Sequence, residues 1–172
     1  MGSKIPILYI FSGLPGTGKS TLAKNISKEL NATYLRIDTI EQGIRDLCNF
    51  NVQGEGYRLV YKIIEDNLKI GNNVVSDQCN PINLTRNEFN NIALKNNCIY
   101  LNIEIICSDK NEHKNRIVNR KSEIDNLKLP TWEEINNRQF ETWEEEHIII
   151  DTANKTIEKC VYELKEKIKS IK

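Results

Sequence analysis

The sequence predicts an α/β fold in which helices cover both faces of an open, doubly wound parallel sheet. Five short apolar runs alternate with longer stretches in which apolar residues recur at helical spacing, which is the pattern of βα units. The runs are rich in Val, Ile, Leu and Tyr without strict alternation, which is typical of strands buried on both faces. The first run leads directly into a glycine-rich loop that precedes a predicted helix, as expected at a ligand-binding strand end of such a sheet.

The five apolar runs are the predicted strands. Each is four to eight residues long and is bounded by polar or glycine-containing segments, which favours strands over helices. In chain order they are Ile7–Ser12, Tyr34–Ile37, Asn73–Ser76, Ile99–Ile106 and His147–Ile150.

The stretches between and after these runs are the predicted helices. In the helix predicted over Tyr57–Ile70, the apolar stripe is Leu59, Ile63 and Ile70, and Gly71 supplies a stop signal. The others are predicted over Lys19–Leu30, Asn83–Lys95, Asn111–Lys121, Trp132–Glu145 and Thr156–Ile171.

Length and composition favour a single domain over residues 1–172, large enough to bury its own core. Lys plus Arg equals Asp plus Glu, at 24 each, which argues against a protein that holds long polynucleotides by their phosphates. Small molecules and short nucleic-acid ends remain as partners. No apolar run approaches the roughly 18–20 residues that span a bilayer. Five scattered cysteines without a CxxC pair indicate reduced thiols, so we expect a cytoplasmic protein. We further expect a monomer or homodimer.

The segment GLPGTGKS fits the phosphate-binding pattern G-x-x-x-x-G-K-[ST] at every fixed position. Its glycines let backbone N–H groups turn toward phosphate oxygens, and the helix N-terminus behind it favours negative charge. Lys19 is predicted to reach the β- and γ-phosphates, and the Ser20 hydroxyl to hold Mg²⁺. The residues predicted to bind ATP here are Gly13, Leu14, Pro15, Gly16, Thr17, Gly18, Lys19, Ser20 and Thr21.

Asp38 follows the second predicted strand, and we predict that it is the catalytic carboxylate that orients an acceptor hydroxyl and takes its proton. Arg45 lies seven residues further on, about two helical turns, so both side chains could face one acceptor site. Glu41 is a second candidate for the same role. The alternative is structural: Asp38 with Glu41 also fits a helix N-cap and its partner three residues later.

Asp77 and Asp151 follow two other predicted strands. Asp77 is predicted to complete the Mg²⁺ shell with Ser20 and to border the acceptor, although an aspartate before Asn80-Pro81 can also simply form a turn. For Asp151 we expect no direct catalysis. The backbone that follows it, beginning at Thr152, is predicted to lie near the nucleotide base.

A charged segment after the fourth predicted strand, about residues 110–138, is predicted to form a mobile lid. Arg116 and Arg120 share a helix face, and guanidinium groups suit the charge that develops on a transferred phosphoryl group. Arg138 is a third candidate for the same contact. The alternative is a solvated face with weak salt bridges.

The segment Asn49–Arg58 is polar and contains two glycines two residues apart. We predict an acceptor-side loop that places Tyr57 or Arg58 near substrate, with a plain surface loop as the alternative.

With these motifs, the chain resembles the P-loop kinase family of small phosphotransferases, which includes adenylylsulfate kinases, gluconate kinases, chloramphenicol phosphotransferases, zeta-toxin kinases and polynucleotide 5′-kinases. The segments RIDTIEQ, GEGY, CSD and LPTW are most similar to adenylylsulfate-kinase-like, AAA ATPase-like predicted kinases. The resemblance implies a three-layer α/β/α sandwich with strand order 2-3-1-4-5, a helical lid after strand 4, and Mg-ATP as donor.

These features together predict an ATP-dependent phosphotransferase that acts on a hydroxyl group of a small molecule. One alternative is a polynucleotide 5′-hydroxyl kinase, although the neutral charge and the lack of interleaved aromatic residues argue against it. Another is a nucleotide-dependent regulatory ATPase. Asn154-Lys155-Thr156-Ile157 lacks the fourth residue of the NKxD base-reading motif, which argues against a GTPase switch.

Overall fold

A computed structural model describes residues 5–171 and contains one sheet of five parallel strands. The strand order is β2-β3-β1-β4-β5, which confirms the predicted fold class and the implied topology. The strands are β1 (Ile7–Ser12), β2 (Thr33–Arg36), β3 (Val74–Asp77), β4 (Ile99–Ile106) and β5 (Ile148–Asp151).

Helices connect the strands and cover both faces of the sheet, as right-handed βαβ crossovers require. Within residues 5–171, no helix has the length and apolar character needed to cross a lipid bilayer. The helices are α1 (Lys19–Glu29), α2 (Ile37–Cys48), α3 (Glu55–Lys69), α4 (Asn83–Lys95), α5 (Lys110–Val118), α6 (Trp132–Asn136) and α7 (Ile157–Ile171).

The alternation of side chains along β1 divides the core between the two faces of the sheet. Tyr9 and Phe11 point into a cluster with residues of α1 and α7, whereas Leu8 and Ile10 point into a cluster with residues of α3 and α4. All four side chains are fully buried. The central strand is therefore held from both sides, which fixes the position of the loop that follows it.

Helix α2 was not among the predicted helices. Strand β2 ends at Arg36 and α2 begins at the next residue, with no turn between them. Ile37 therefore starts a helix and does not end a strand. Asp38 lies in the first helical turn, and the residue at the N-cap position is Arg36, so the alternative role of Asp38 as an N-cap is wrong.

The polar segment before α3 is shorter than predicted, because α3 begins at Glu55. The Glu55 carboxylate accepts hydrogen bonds from the backbone N–H groups of Gln53 and Gly54, which fixes the start of the helix. Tyr57 and Arg58 are thus helical and do not belong to a loop. The predicted stripe of this helix was also wrong, since the buried residues are Gly56, Val60, Ile64 and Leu68.

The helix predicted over Trp132–Glu145 is only five residues long. A capping box formed by Thr131 and Glu134 starts α6, which ends at Asn136. The chain then runs as an irregular segment, residues 139–146, which we call the strap. The guanidinium of buried Arg86 on α4 donates to the carbonyl oxygens of Glu141 and Thr142, so backbone groups that a longer helix would use are bonded to Arg86.

Candidate functional site

The carboxyl ends of the strands meet at one edge of the sheet, and this edge carries the polar residues of the site. Strand register pairs Arg36 of β2 with Asp77 of β3, and Asp77 in turn lies beside Phe11 of β1. The loop after β1, residues 13–18, which we call the phosphate loop, begins one residue beyond Ser12. Ligands bind at this edge in open α/β sheets.

At two positions of the phosphate loop, the backbone has a conformation and a packing that only glycine accommodates. Gly13 has φ +138°, and a Cβ atom there would lie 2.3 Å from the Ile105 carbonyl oxygen. Gly16 has φ +82°, and a Cβ atom there would lie 2.3 Å from Ile117 Cδ1 of α5. The loop is therefore packed closely against both β4 and the lid.

The N-terminus of α1 is suited to bind phosphate. Its N-cap residue, Gly18, has no side chain to accept the first backbone N–H groups, and no acidic residue lies in the first turn. These donors and the positive end of the helix dipole therefore remain available to an anion. The cradle and the uncapped helix fit a nucleotide phosphate chain.

Lys19 and Asp77 form the charged centre below the loop. Lys19 Nζ donates to Asp77 Oδ1 at 3.0 Å, and the Tyr34 hydroxyl donates to Asp77 Oδ2 at 2.6 Å. Burial by itself would raise the pKa of Asp77, but the Lys19 charge and hydrogen bonds from Tyr34, Ser20 and Lys19 outweigh it and lower that pKa. Burial and the neighbouring Asp77 raise the pKa of Tyr34, so Tyr34 remains a donor.

The Ser20 hydroxyl is one of the groups near Asp77 that lower the pKa of that carboxyl, so a hydroxyl and a carboxylate oxygen lie close together here. Hard oxygen ligands of this kind suit Mg²⁺, which binds few protein groups and completes its shell with phosphates and water. The residues present thus fit a Mg-nucleotide. Asp77 is only 1% exposed and does not line the cleft described next, so it lies apart from the cleft-lining residues predicted to border an acceptor.

A cleft of about 840 Å³ opens above the phosphate loop. The loop and Lys19 form its floor, α2 forms one wall, and the lid, residues 110–138, forms the other. From α2 it is lined by Asp38, Glu41, Gln42 and Arg45, so the predicted acceptor residues of this helix share the cleft with the phosphate loop. Tyr57 does not line the cleft and instead packs against Tyr61 and Phe89, which places it in the core beneath the wall.

Of the two carboxylates on this wall, Asp38 has the weaker contacts with other side chains. It is 49% exposed, and its Oδ2 lies 4.0 Å from Arg36 Nε, the one ion pair it forms among residues 5–171. Glu41, by contrast, is bound to Arg45 at 3.2 Å. Burial raises the pKa of Glu41 despite the hydrogen bond from Arg45. Asp38 therefore combines access to the cleft with a free carboxylate, and Glu41 does not.

A second cavity, of about 310 Å³, lies behind the phosphate loop. Gly18, Thr21, Arg116 and Thr152 are among the residues that line it. The Thr152 hydroxyl donates to the Thr17 carbonyl oxygen at 2.8 Å and accepts from Arg116 Nη1 at 2.8 Å. These contacts connect the residue after β5, the phosphate loop and the lid, and the cavity has a size and position that suit a nucleotide base.

The three predicted lid arginines all line the main cleft, with different partners. Arg116 also donates to Glu112 and so is held on its helix, while Arg138 donates to Cys79 Sγ at 3.6 Å. Arg120 forms no side-chain hydrogen bond or ion pair within residues 5–171. His113 donates from Nε2 to the Pro15 carbonyl oxygen at 2.8 Å and thus joins the lid to the phosphate loop.

Two charged residues of the site were missed by the sequence analysis. Arg36 is 7% exposed, lines the cleft, and lies 3.9 Å from Asp77 as well as 4.0 Å from Asp38. Glu123 of the lid accepts from Arg36 Nη1 at 3.2 Å and from Lys24 of α1. The hydrogen bond from Lys24 and the charges of both bases lower the pKa of Glu123. The only sequence signal for Arg36 is its place two residues before Asp38.

Asp151 has a structural role. Its carboxylate accepts hydrogen bonds from the backbone N–H groups of Ser108 and Ala153, both at 3.0 Å, and from the Ser108 hydroxyl. These bonds join the ends of β4 and β5 and position Thr152.

Comparison with known proteins identifies the family. A family model described as an AAA domain matches residues 8–142, which is more than half of the chain.

Solved structures with the same fold include kinases. The APS kinase CysC of Mycobacterium tuberculosis, in complex with AMPPNP and APS, is 14% identical with a TM-score of 0.72, over 96% of this chain and 98% of that chain. A gluconokinase of Sinorhizobium meliloti 1021 is 14% identical with a TM-score of 0.64, over 93% and 90%. Kti12 of Chaetomium thermophilum, in complex with ADP-AlF3, is 18% identical with a TM-score of 0.70, over 95% and 97%. At these identities the likeness establishes the P-loop kinase fold.

Proposed function

This chain belongs to the AAA domain family, with the P-loop kinase fold, and we propose that it is an ATP-dependent phosphotransferase. It transfers the γ-phosphoryl group of Mg-ATP to a hydroxyl group of a small-molecule acceptor.

The observation that carries this proposal is the position of Asp38. Its half-exposed carboxylate lies on the wall of the same cleft whose floor is formed by the phosphate loop and Lys19. Nucleotide binding alone needs the floor but not a carboxylate facing it. A kinase needs both, because the acceptor hydroxyl must be oriented and deprotonated beside the phosphoryl group.

The phosphate loop and the N-terminus of α1 hold the phosphate chain in this account. Lys19 lies between Asp77 and the cleft and would balance charge on the β- and γ-phosphates. Ser20 and Asp77 would hold Mg²⁺, which screens the phosphate charge and orients the chain when bound. The base would lie in the cavity lined by Thr21, Arg116 and Thr152.

Asp38 acts on the acceptor side. It accepts a hydrogen bond from the acceptor hydroxyl and takes its proton as the hydroxyl oxygen bonds to the γ-phosphorus. The bond between that phosphorus and the bridging oxygen breaks, and ADP leaves. Arg116 and Arg120 are placed to balance charge on the transferred group, and closure of the lid would exclude competing water.

The experiment that tests the proposal is a screen with γ-labelled ATP and Mg²⁺ against hydroxyl-bearing metabolites, nucleosides, antibiotics and 5′-hydroxyl oligonucleotides. We expect label on at least one small molecule at a rate well above ATP hydrolysis. Transfer only to oligonucleotides would support the polynucleotide kinase alternative. Nucleotide binding with no transfer to any acceptor class would contradict the proposal and favour a regulatory ATPase.

A further inference from the structure

A carboxylate from the lid lies at the acceptor end of the cleft. Glu123 is 63% exposed, belongs to the irregular segment between α5 and α6, and pairs with two cations outside the lid, Arg36 of β2 and Lys24 of α1. It accepts a hydrogen bond from Arg36 Nη1 at 3.2 Å and another from Lys24. The two bases, from β2 and α1, thus form a pair that accommodates an oxyanion.

Arg36 has an unused donor at this position. The residue is 7% exposed and lines the cleft, yet its Nε atom is buried without a hydrogen-bond partner. Its contacts with Asp38 and Asp77 are 4.0 and 3.9 Å, which is too long for hydrogen bonds. A buried guanidinium donor that is left unpaired costs free energy, so the site favours a ligand that offers an acceptor oxygen to Nε as well.

The net charge of the residues that line the cleft also favours an anionic ligand. Eight basic and three acidic side chains line it. A bound nucleotide with its Mg²⁺ neutralises only part of this excess, because the metal offsets much of the phosphate charge. An acceptor that is itself negative would balance the remainder.

We propose that the acceptor carries its own anionic group, a phosphate, sulfate or carboxylate, and that this group binds Arg36 and Lys24 in place of the Glu123 carboxylate. The inference rests on the proposed function, because it concerns the acceptor of that reaction. Exchange of one carboxylate for an acceptor anion keeps Arg36 and Lys24 paired and leaves Asp38, 4.0 Å from Arg36, beside the bound molecule. Release of Glu123 also frees the lid segment that carries it.

The test uses inorganic phosphate, sulfate and acetate as probes, titrated into protein saturated with Mg-AMPPNP, so that the phosphate loop is already filled. Chloride keeps the ionic strength constant. The readout is the nitrogen–proton NMR signal of Arg36 Nε, the donor that lacks a partner. We expect saturable binding, tightened about two- to fivefold by Glu123→Gln, because the variant removes an ion pair of ordinary strength that competes with the probe.

Matched variants separate this site from general charge effects. Glu133→Gln removes the same charge from an exposed lid position outside the cleft and should leave anion affinity unchanged. In the Glu123→Gln background, Lys24→Gln should weaken binding, whereas Lys28→Gln, an exposed position on the same helix, should not. The anion that binds most tightly indicates the chemical class of the acceptor group.

Equal anion affinity in Glu123→Gln and Glu133→Gln, or no saturable shift of Arg36 Nε, would overturn the inference. Such a result leaves the phosphotransferase proposal standing, because saturation with Mg-AMPPNP is established first and label transfer is measured separately. Failure to bind Mg-AMPPNP would instead contradict the proposed function itself.

Discussion

Gly16 is a point of contact between the phosphate loop and the lid helix α5. Because its φ is +82° and a Cβ atom would lie 2.3 Å from Ile117 Cδ1, an alanine there is strained and also displaces the lid. We predict that Gly16→Ala weakens Mg-AMPPNP binding at least about tenfold, which corresponds to roughly 1.4 kcal/mol, measured by calorimetry.

Two further variants make this prediction specific. Ile117→Ala in the Gly16→Ala background removes the steric contact and should restore part of the affinity. Gly43→Ala is the control, because nothing lies within 4 Å of its added Cβ atom and the residue is helical. Affinity in Gly16→Ala equal to that in Gly43→Ala would show that the close packing has no consequence.

The Lys19–Asp77 pair predicts a pH dependence of stability. The pKa of Asp77 is lower in the folded state than in the unfolded state, so its contribution is present above the unfolded value and is lost as the pH falls through the folded value. Asp77→Asn should lower the free energy of unfolding by about 3 kcal/mol at pH 7, because it leaves Lys19 unpaired. The difference from wild type should shrink below about pH 4.

Urea unfolding of the nucleotide-free protein at a series of pH values measures this effect. Asp66→Asn, an exposed carboxylate on α3, is the matched control and should change stability little at any pH. A difference for Asp77→Asn that stays constant down to pH 2 would contradict the assigned charge state.

At the residue scale, the sequence predicted the site residues that belong to a motif of fixed spacing or that follow the end of a strand. The phosphate loop, Asp38 and Arg116 line the cleft. Each could be predicted because it forms a sequence motif or follows the end of a predicted strand. The contact between Arg36 and Glu123 could not be predicted in this way. It joins residues 87 positions apart, one of them in a segment without regular structure, and no periodicity marks either residue.

The strap, residues 139–146, is held mainly by α4, and the Glu141 backbone N–H also donates to the Pro81 carbonyl oxygen at 2.8 Å. Arg86 of α4 donates to two of its carbonyl oxygens, and the guanidinium lies 5.0 Å from the Phe140 ring centroid and 4.0 Å from that of Trp143. Arg86→Lys cannot reproduce these forked bonds. We predict a loss of about 2–4 kcal/mol in stability and faster amide hydrogen exchange across the strap.

Hydrogen exchange followed by mass spectrometry distinguishes this local effect from a general one. Arg58→Lys, an exposed position on α3, should change neither stability nor exchange. Unchanged exchange in the strap of Arg86→Lys would mean that other contacts hold the segment.

At the scale of helices and strands, the predictions failed where contacts with distant residues, and not the local sequence pattern, determine the structure. The strap has enough helix-forming residues to continue α6, but its carbonyl groups bind Arg86 on another helix. Helix α2 was missed because β2 runs into it without a turn residue, although Ile37, Ile40 and Ile44 recur at helical spacing. The strands of the sheet, whose apolar residues form short runs bounded by polar or glycine-containing segments, were predicted to within one residue of their observed ends.

At the scale of the whole molecule, the sheet brings a donor side and an acceptor side to one edge. The phosphate loop follows the central strand β1, and Asp38 follows β2 at the edge of the sheet, with the lid opposite both. Strand order 2-3-1-4-5 leaves the width of β3 between them. In the proposed function the nucleotide phosphates bind at the floor of the cleft and the acceptor binds at the α2 wall, and the proposal depends on that separation.

The measurement that tests this account most directly is Asp38→Asn, assayed for both Mg-ATP affinity and transfer to an acceptor found in the screen. The amide has the shape of the carboxylate but cannot take a proton, so we predict affinity within about twofold of wild type and transfer reduced about 10²–10⁴-fold. Glu133→Gln, at an exposed lid position outside the cleft, is a control for the loss of one negative charge. Transfer by Asp38→Asn at the wild-type rate would contradict the central claim that Asp38 is the catalytic carboxylate.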